Sequence, residues 1–153
     1  MSVGALLMWL GTALLCADGV QATSDGEREI VSFARTAATQ ALTFPAGDKA
    51  ALAHARDVFT EAGWSEFMKV MQSWVDPTGA PTFASAFVAS GAGRIVDEQD
   101  TIVHVRIPGT LTQTQGHSKT TYRIAADLWI TSKPMMVQRL TQTTCRGDSP
   151  ACR

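Results

Sequence analysis

The sequence predicts an α+β fold in which N-terminal helices pack inside a strongly bent, antiparallel four-strand sheet, and two observations predict it. Apolar residues recur with a helical period over residues 24–74 and with a period of two over residues 83–144. The change falls at the turn-forming stretch 76–81, DPTGAP. With 153 residues, 45% of them hydrophobic, the chain is long enough for one packed domain.

Local capping signals define the first two predicted helices. Ser24 followed by Glu27 is a capping-box pattern, and it starts a first amphipathic helix that ends near Leu42. Asp48 is a suitable N-cap for a second, shorter helix, which is rich in alanine and runs through Arg56. We therefore expect both helices before residue 57.

The third predicted helix is the most informative element of this half. Thr60 is a good N-cap, and Phe59 and Trp64 occupy the two positions of a hydrophobic staple around it. We interpret the apolar stripe that follows as core and expect Trp64 to be buried beneath the sheet. The residues that define this fold motif are Phe59, Thr60, Gly63, Trp64, Phe67 and Met71, and Met68 and Trp74 extend the stripe.

The second half predicts four antiparallel strands. They cover residues 83–97, 101–114, 120–131 and 135–144. Gly91 and Gly93 interrupt the first strand and favour a bend, which would help the sheet to curve. Pro108 followed by Gly109 indicates either a kink in the strand from Thr101 or a position at the sheet edge, where the strand could recruit a partner.

The N-terminus has the pattern of a targeting segment. Residues 3–17 are uncharged and mostly apolar, which is shorter than the roughly 20 residues of a spanning helix but suits a secretory signal peptide. We predict a signal peptide at 1–22, a domain at 23–144 and a periplasmic location. No Lys or Arg precedes the apolar run, so an uncleaved inner-membrane anchor and a buried helix remain alternatives.

Two cysteines follow the predicted domain. An even pair in an exported protein predicts a disulfide between Cys145 and Cys152, which would close the C-terminal tail 145–153. Two cysteines with no nearby histidine supply only half of a zinc shell, so we expect no metal. We expect no other cofactor either.

The charge balance argues against one class of function. Thirteen Lys and Arg nearly balance fourteen Asp and Glu, which gives a formal net charge of −1. Such a chain has no strong positive field to collect phosphates. Direct binding of nucleic acid is therefore not expected.

Three segments together resemble the DotI/IcmL family, the periplasmic domains of type IVB (Dot/Icm-type) secretion and conjugation machinery. They are IVSFA at 30–34 with Phe44 after it, ARDVFTEAGWSEFMKVM at 55–71, and VQRLTQT at 137–143. The resemblance implies a nuclear-transport-factor-like cone and a non-catalytic assembly subunit. The implied partners are other subunits of the apparatus, in a homo- or hetero-oligomer. The spanning helix and cytoplasmic tail of typical members do not fit before Asp18, which leaves membrane association dependent on an uncleaved N-terminus.

The cone fold also occurs in isomerases and dehydratases, which need an acid, a base or an oxyanion donor, and three residues of this chain are candidates for such a role. They are His104, Tyr122 and Asp127. Alternation allows His104 to face inward, although a partly exposed strand position is favoured, and Tyr122 is expected in the core. Asp127 and Tyr122 fall on opposite faces of one strand and are not expected to converge. We therefore predict that the chain is not an enzyme. A cone-fold enzyme and a soluble carrier of a small apolar ligand remain the alternatives.

Overall fold

The computed structural model describes residues 24–147 and residue 152. Its helices and strands are α1 (Asp25–Leu42), α2 (Lys49–His54), α3 (Glu61–Met71), β1 (Ala84–Ala89), β2 (Arg94–Gln99), β3 (Ile102–Gln115), β4 (Ser118–Ser132) and β5 (Met135–Thr144). The predicted signal segment 1–22 lies outside the described residues. Within the described part, none of the helices combines the length and apolarity needed to span a bilayer.

The first helix begins where its capping box predicts. The Ser24 hydroxyl accepts from the Glu27 N–H at 3.2 Å, and the Glu27 carboxylate accepts from the Ser24 N–H at 2.7 Å. Four alanines on the inner face are fully buried, and their small side chains let α1 lie close to the sheet: Ala34, Ala37, Ala38 and Ala41. Helix α1 contacts β1, β3, β4 and β5, so it covers most of one sheet face.

The sheet is an antiparallel meander of five strands, where four were predicted. The paired order is β1-β3-β4-β5, and β2 also pairs with β3. β1 pairs with one half of β3 and β2 with the other half, so the two form one edge row that is interrupted between them. The glycines at 91 and 93 therefore break the predicted first strand.

The prediction of a strongly bent sheet is wrong, because the sheet is not strongly curled. β3 and β4 pair without interruption from Ile102↔Thr131 to Gln115↔Ser118. The break between β1 and β2 is confined to the edge row, so the continuous central pair does not follow it. At the break, a side chain on Gly93 would overlap Ile107, which explains why a residue without Cβ stands there.

The prediction that the strand from Thr101 is an edge is also wrong. β3 has neighbours on both sides. The Pro108 carbonyl accepts from the Ser90 N–H at 2.9 Å, on the side of the interrupted row. In a strand, the nitrogen and the carbonyl of one residue point to the same side. The Pro108 nitrogen, which has no hydrogen to donate, therefore faces the gap between β1 and β2. The proline therefore costs no hydrogen bond to β4, which is why a central strand tolerates it.

The core fills the space between the helices and the sheet. Its largest fully buried side chains all come from the central and last strands: Val105, Ile107, Leu128, Ile130 and Val137. Because these side chains occupy the interior, the sheet and helices enclose packed hydrocarbon.

The motif at the start of α3 fastens this helix to the edge of β5. Thr60 caps the helix by accepting from the Gly63 N–H at 3.0 Å, and its own N–H donates to the Val137 carbonyl at 3.0 Å. A Cβ at Gly63 would overlap that carbonyl and lie 2.8 Å from the Gln138 oxygen. The three-residue spacing between Thr60 and Gly63 therefore serves both the helix cap and the close contact between α3 and β5.

The aromatic side chains of the motif pack together, as the staple predicts. Phe59 and Trp64 meet edge to face with ring centroids 5.8 Å apart, and Phe67 stacks on Phe59 at 5.2 Å. Phe67 and Met71 are buried, but Trp64 is only partly buried. The prediction that Trp64 lies beneath the sheet is wrong, because α3 packs mainly against the edge strand β5 and leaves part of the indole open to solvent.

Candidate functional site

Asp127 is a buried carboxylate on the sheet face opposite the helices. Arg106, its cross-strand neighbour, donates to both carboxylate oxygens, with Nε–Oδ1 at 2.9 Å and a guanidinium nitrogen 3.2 Å from Oδ2. His104 Nε2 lies 2.8 Å from Oδ1. Both oxygens are therefore engaged by side chains of β3. These contacts compensate the free-energy cost of burying the Asp127 charge.

His104 belongs to a stack of rings on the same outer face. Its imidazole lies parallel to the Trp129 indole, with centroids 4.3 Å apart and planes 9° apart. The Arg139 guanidinium lies 5.1 Å from the Trp129 ring centroid, which is a cation–π distance. Of the two positions that the sequence leaves open for His104, the structure shows the partly exposed strand position and not the inward one. The other alternation set of β3, which contains Val103, Val105 and Ile107, faces the helices and is buried instead.

This outer cluster has the geometry of a structural ion pair. A general acid or base must keep an atom within hydrogen-bond reach of a substrate proton. Both Asp127 oxygens already accept from Arg106, so this carboxylate is committed to the pair. His104 joins the pair through Nε2 and stacks on Trp129, while no hydrogen bond within the described residues engages its Nδ1. The cluster therefore ties β3 to β4 across the outer face.

Tyr122 lies away from this cluster and is not a core residue, contrary to the prediction. It is 37% exposed and lines a cleft of 340 Å³ beside the β3–β4 hairpin. Its strand positions explain the exposure, because Tyr122 pairs with Leu111 where the hairpin begins to extend past the core. Asp127 and Tyr122 do not converge, as their alternation predicts.

The cleft beside the hairpin, which we call the hairpin cleft, has two walls. One wall is the hairpin, where Gln113 pairs with Thr120 and Gln115 with Ser118. The other wall contains Trp74, just after α3, and Phe83 at the start of the sheet. Trp74 was expected in the apolar stripe of α3 but is 38% exposed here.

A tight loop fixes the second wall. The Asp76 carboxylate accepts from the Thr78 hydroxyl at 2.6 Å, from the Thr78 N–H at 2.8 Å and from the Ala80 N–H at 3.0 Å. The Thr78 hydroxyl, followed by the Ala80 N–H, holds the pKa of Asp76 below its usual value. The loop thus returns the chain so that Thr82 binds the Trp74 carbonyl through its N–H at 2.9 Å and its hydroxyl at 3.0 Å.

The tail cysteines lie together in the structure. Cys145 is joined to Cys152 with their Cα atoms 6.0 Å apart, within the usual range for a disulfide. The Cys145 N–H donates to the Arg123 carbonyl, which places the tail beside β4. Over residues 24–147 and 152, no group of three or more His, Cys, Asp or Glu is placed to hold a metal ion.

Sequence reasoning missed Arg106, Trp129 and Arg139 in the outer cluster and Trp74 in the hairpin cleft. The opposite charges of Arg106 and Asp127 were a usable signal, but only once the register of β3 and β4 was known. Alternation in β4 does place Trp129 on the face of Asp127, but its stacking partner His104 follows only from the register of β3 and β4.

Comparisons with known proteins define the fold. No family model and no curated protein sequence matches the chain. Among solved structures, the periplasmic domain of DotI is 18% identical, with a TM-score of 0.66 over 83% of this chain and 100% of that one. An IcmL-like type IV secretion system protein from Legionella pneumophila is 14% identical, with a TM-score of 0.65 over 79% of this chain and 94% of that one.

A more distant relative of the same architecture also matches. CagV from Helicobacter pylori, a VirB8 homolog of a type IV secretion system, is 10% identical with a TM-score of 0.55, over 76% of this chain and 98% of that one. Over residues 24–147, the chain therefore has the α+β fold of these secretion-system domains, with three helices followed by a five-strand antiparallel sheet. The resemblance to the DotI/IcmL family is confirmed at the level of the fold.

Proposed function

We propose that the chain is a non-catalytic, exported assembly subunit of a type IV secretion or conjugation apparatus. One observation carries the proposal: the fold match spans the whole periplasmic domain of DotI. The segments that resemble the DotI/IcmL family in sequence also have a structural explanation, because the Thr60–Gly63 motif fastens α3 to β5. Such a subunit acts by contacts with other proteins and needs no reactive group.

The positions of the polar residues favour assembly over catalysis. Asp127 is engaged by Arg106 and His104, and Tyr122 lines a cleft on the other side of the sheet. The largest fully buried side chains lie between helices and sheet, where a cone-fold enzyme or a carrier would hold its ligand, and this supports a packed interior. We therefore rank the isomerase-like and apolar-carrier alternatives below the assembly role.

Export is the second part of the proposal. Residues 1–22 direct the chain to the periplasm, where residues 23–144 form the domain and 145–153 a disulfide-closed tail. If the segment stays uncleaved, the domain is anchored in the inner membrane and faces the periplasm. Cell fractionation with N-terminal sequencing tests this: we expect a periplasmic chain that starts near Thr23. A full-length cytoplasmic product would contradict export.

The partners are other subunits of the apparatus, reached through exposed apolar positions on several elements. Val70 on α3 and Val88 on β1 are 68% and 66% exposed, and Val96 on β2 is 44% exposed. Contiguous exposed apolar patches mark contact sites between proteins, so these three valines are the positions at which to search for one. Pairing through the strand from Thr101 is no longer part of the proposal, since β3 is central.

In-cell photocrosslinking tests the assembly role. A photoreactive residue replaces Val70, Val88 or Val96, one at a time, and the exposed polar Thr36 on α1 serves as the control, since a bulky residue at a buried position would disrupt the core. We expect at least one valine position to capture another secretion or conjugation subunit, and the control to capture none. The proposal fails if all three valine positions capture nothing or only proteins unrelated to the apparatus.

A further inference from the structure

The hairpin cleft contains chemistry that the assembly role does not use. Two aromatic side chains, Trp74 and Tyr122, line the cleft and remain more than one third exposed. Buried aromatic rings are explained by packing, but exposed rings in a concave site offer a flat apolar surface to a ligand. At 340 Å³, the cleft is within the size range of small-molecule sites.

The rest of the lining is polar and almost free of charge. Apart from Tyr122, none of its polar side chains is ionisable, and every one of them both donates and accepts hydrogen bonds. They are Ser73, Thr82, Gln113, Gln115, Ser118 and Thr120. A charged ligand would find no counter-charge in this lining. An apolar ligand would displace the water that is hydrogen-bonded to the amides and hydroxyls and would offer them no hydrogen bonds in return.

The cleft is held in shape before any ligand binds. Trp74 packs edge to face on Phe83 with centroids 4.9 Å apart, and Thr82 donates twice to the Trp74 carbonyl. The opposite wall is the registered β3–β4 hairpin. A site whose walls are already ordered loses less conformational entropy on binding.

We propose that the hairpin cleft binds a neutral saccharide of one or two pyranose rings. A pyranose presents a face of C–H groups, which suits the exposed surfaces of Trp74 and Tyr122, and a rim of hydroxyls, which suits the glutamine amides and the Ser and Thr hydroxyls. The inference goes beyond the assembly role and does not depend on it. In an exported protein, the source is either a free oligosaccharide or the glycan of the cell wall.

Nuclear magnetic resonance of the purified full-length chain tests the proposal. The N-acetylglucosamine trimer and maltotriose are the neutral probes, and a galacturonic acid trimer is the anionic control. We expect the neutral probes to shift the Trp74 indole N–H and the Gln113 and Gln115 side-chain amide signals. The anionic trimer should bind at least about tenfold more weakly, since the lining offers it no positive charge.

Variants separate the cleft from the rest of the surface. Trp74→Ala and Tyr122→Ala should each weaken binding by about tenfold or more, whereas Val70→Ala, an exposed apolar control on α3, should leave it unchanged. Gln115→Ala, at the exposed end of the hairpin, gives a second test if Trp74→Ala perturbs the fold. Sedimentation with purified cell walls then distinguishes the glycan source from free oligosaccharide.

Three results would overturn the proposal. They are no shift with either neutral probe at tens of millimolar, binding that survives both aromatic substitutions, or equal binding of the anionic trimer. Each can occur whether or not the chain assembles with secretion subunits. The result is therefore separable from the crosslinking result.

Discussion

The two faces of the β3–β4 pair differ sharply although they share one backbone. Val105 pairs with Leu128 on the face that the helices cover, and both side chains are fully buried. One residue further along, Arg106 pairs with Asp127 on the outer face, and the two side chains form an ion pair. His104 lies beside this pair and contacts the same carboxylate. Strand pairing is the same for both faces of the sheet. The residues that each face tolerates therefore depend on what covers that face.

The largest expected effect comes from breaking the covered face. Val105→Lys should cost at least about 4 kcal/mol, because it places an unpaired charge among fully buried hydrocarbon. Chemical denaturation measures the loss. Val88→Lys, on an exposed position of β1, is the matched control and should change stability by less than about 0.5 kcal/mol. Equal midpoints for the two variants would contradict the assignment of the faces.

Trp64 lies between these extremes and sharpens the comparison. Its indole contacts Phe59 and Phe67 but stays partly exposed at the edge of the sheet. We expect Trp64→Ala to cost about 3 kcal/mol, at the lower end of the range for large-to-small core changes. Phe67→Ala, at a buried position, should cost more in the same denaturation experiment. A smaller loss for Phe67→Ala would reverse this ranking.

The outer face should be more tolerant than the covered one. Asp127→Asn keeps the shape of the side chain but removes the charge that Arg106 binds, and we expect a cost of about 2 kcal/mol. Because Arg106 is itself about one fifth exposed, water offsets part of the loss. A double-mutant cycle with Arg106→Gln should return a coupling energy of about 1 kcal/mol. Additive losses would show that the pair contributes nothing.

The smallest expected effect concerns the tail. Replacing Cys145 and Cys152 by serine should cost no more than about 2 kcal/mol, because the loop is short and lies beyond the last strand. Thiol labelling of the denatured, unreduced periplasmic protein should find the pair unreactive. Two reactive thiols in each mature chain would mean that the bond does not form there.

Local chemistry explains which parts of the fold were predictable. The starts of α1 and α3 were found because a cap and its partner are three residues apart and need no knowledge of the rest of the chain. The position of α3 at the edge of β5 was not found, because it depends on how closely Gly63 approaches the Val137 carbonyl. That long-range contact leaves Trp64 partly exposed.

The candidate site was harder to predict for a related reason. Alternation correctly separated Asp127 from Tyr122, but it did not give the partners of Asp127. Those follow from a hairpin register in which Gln115 pairs with Ser118, whereas the predicted strands end at residue 114 and resume at residue 120. With the tight turn, Arg106 falls directly opposite Asp127, and the carboxylate becomes part of an ion pair.

Transfer efficiency per folded molecule tests the central claim most directly. In a strain that lacks the native gene, conjugation or secretion is measured against the level of folded protein for Val70→Glu, Val88→Glu, Val96→Glu, His104→Ala and Tyr122→Phe. If the chain is an assembly subunit, at least one of the three valine-to-glutamate variants should lose transfer while its fold persists. His104→Ala and Tyr122→Phe should keep a transfer efficiency near that of the unchanged chain. A folded His104→Ala or Tyr122→Phe protein with a loss of about 10²–10⁴-fold, the size expected for an acid–base residue, would contradict the account.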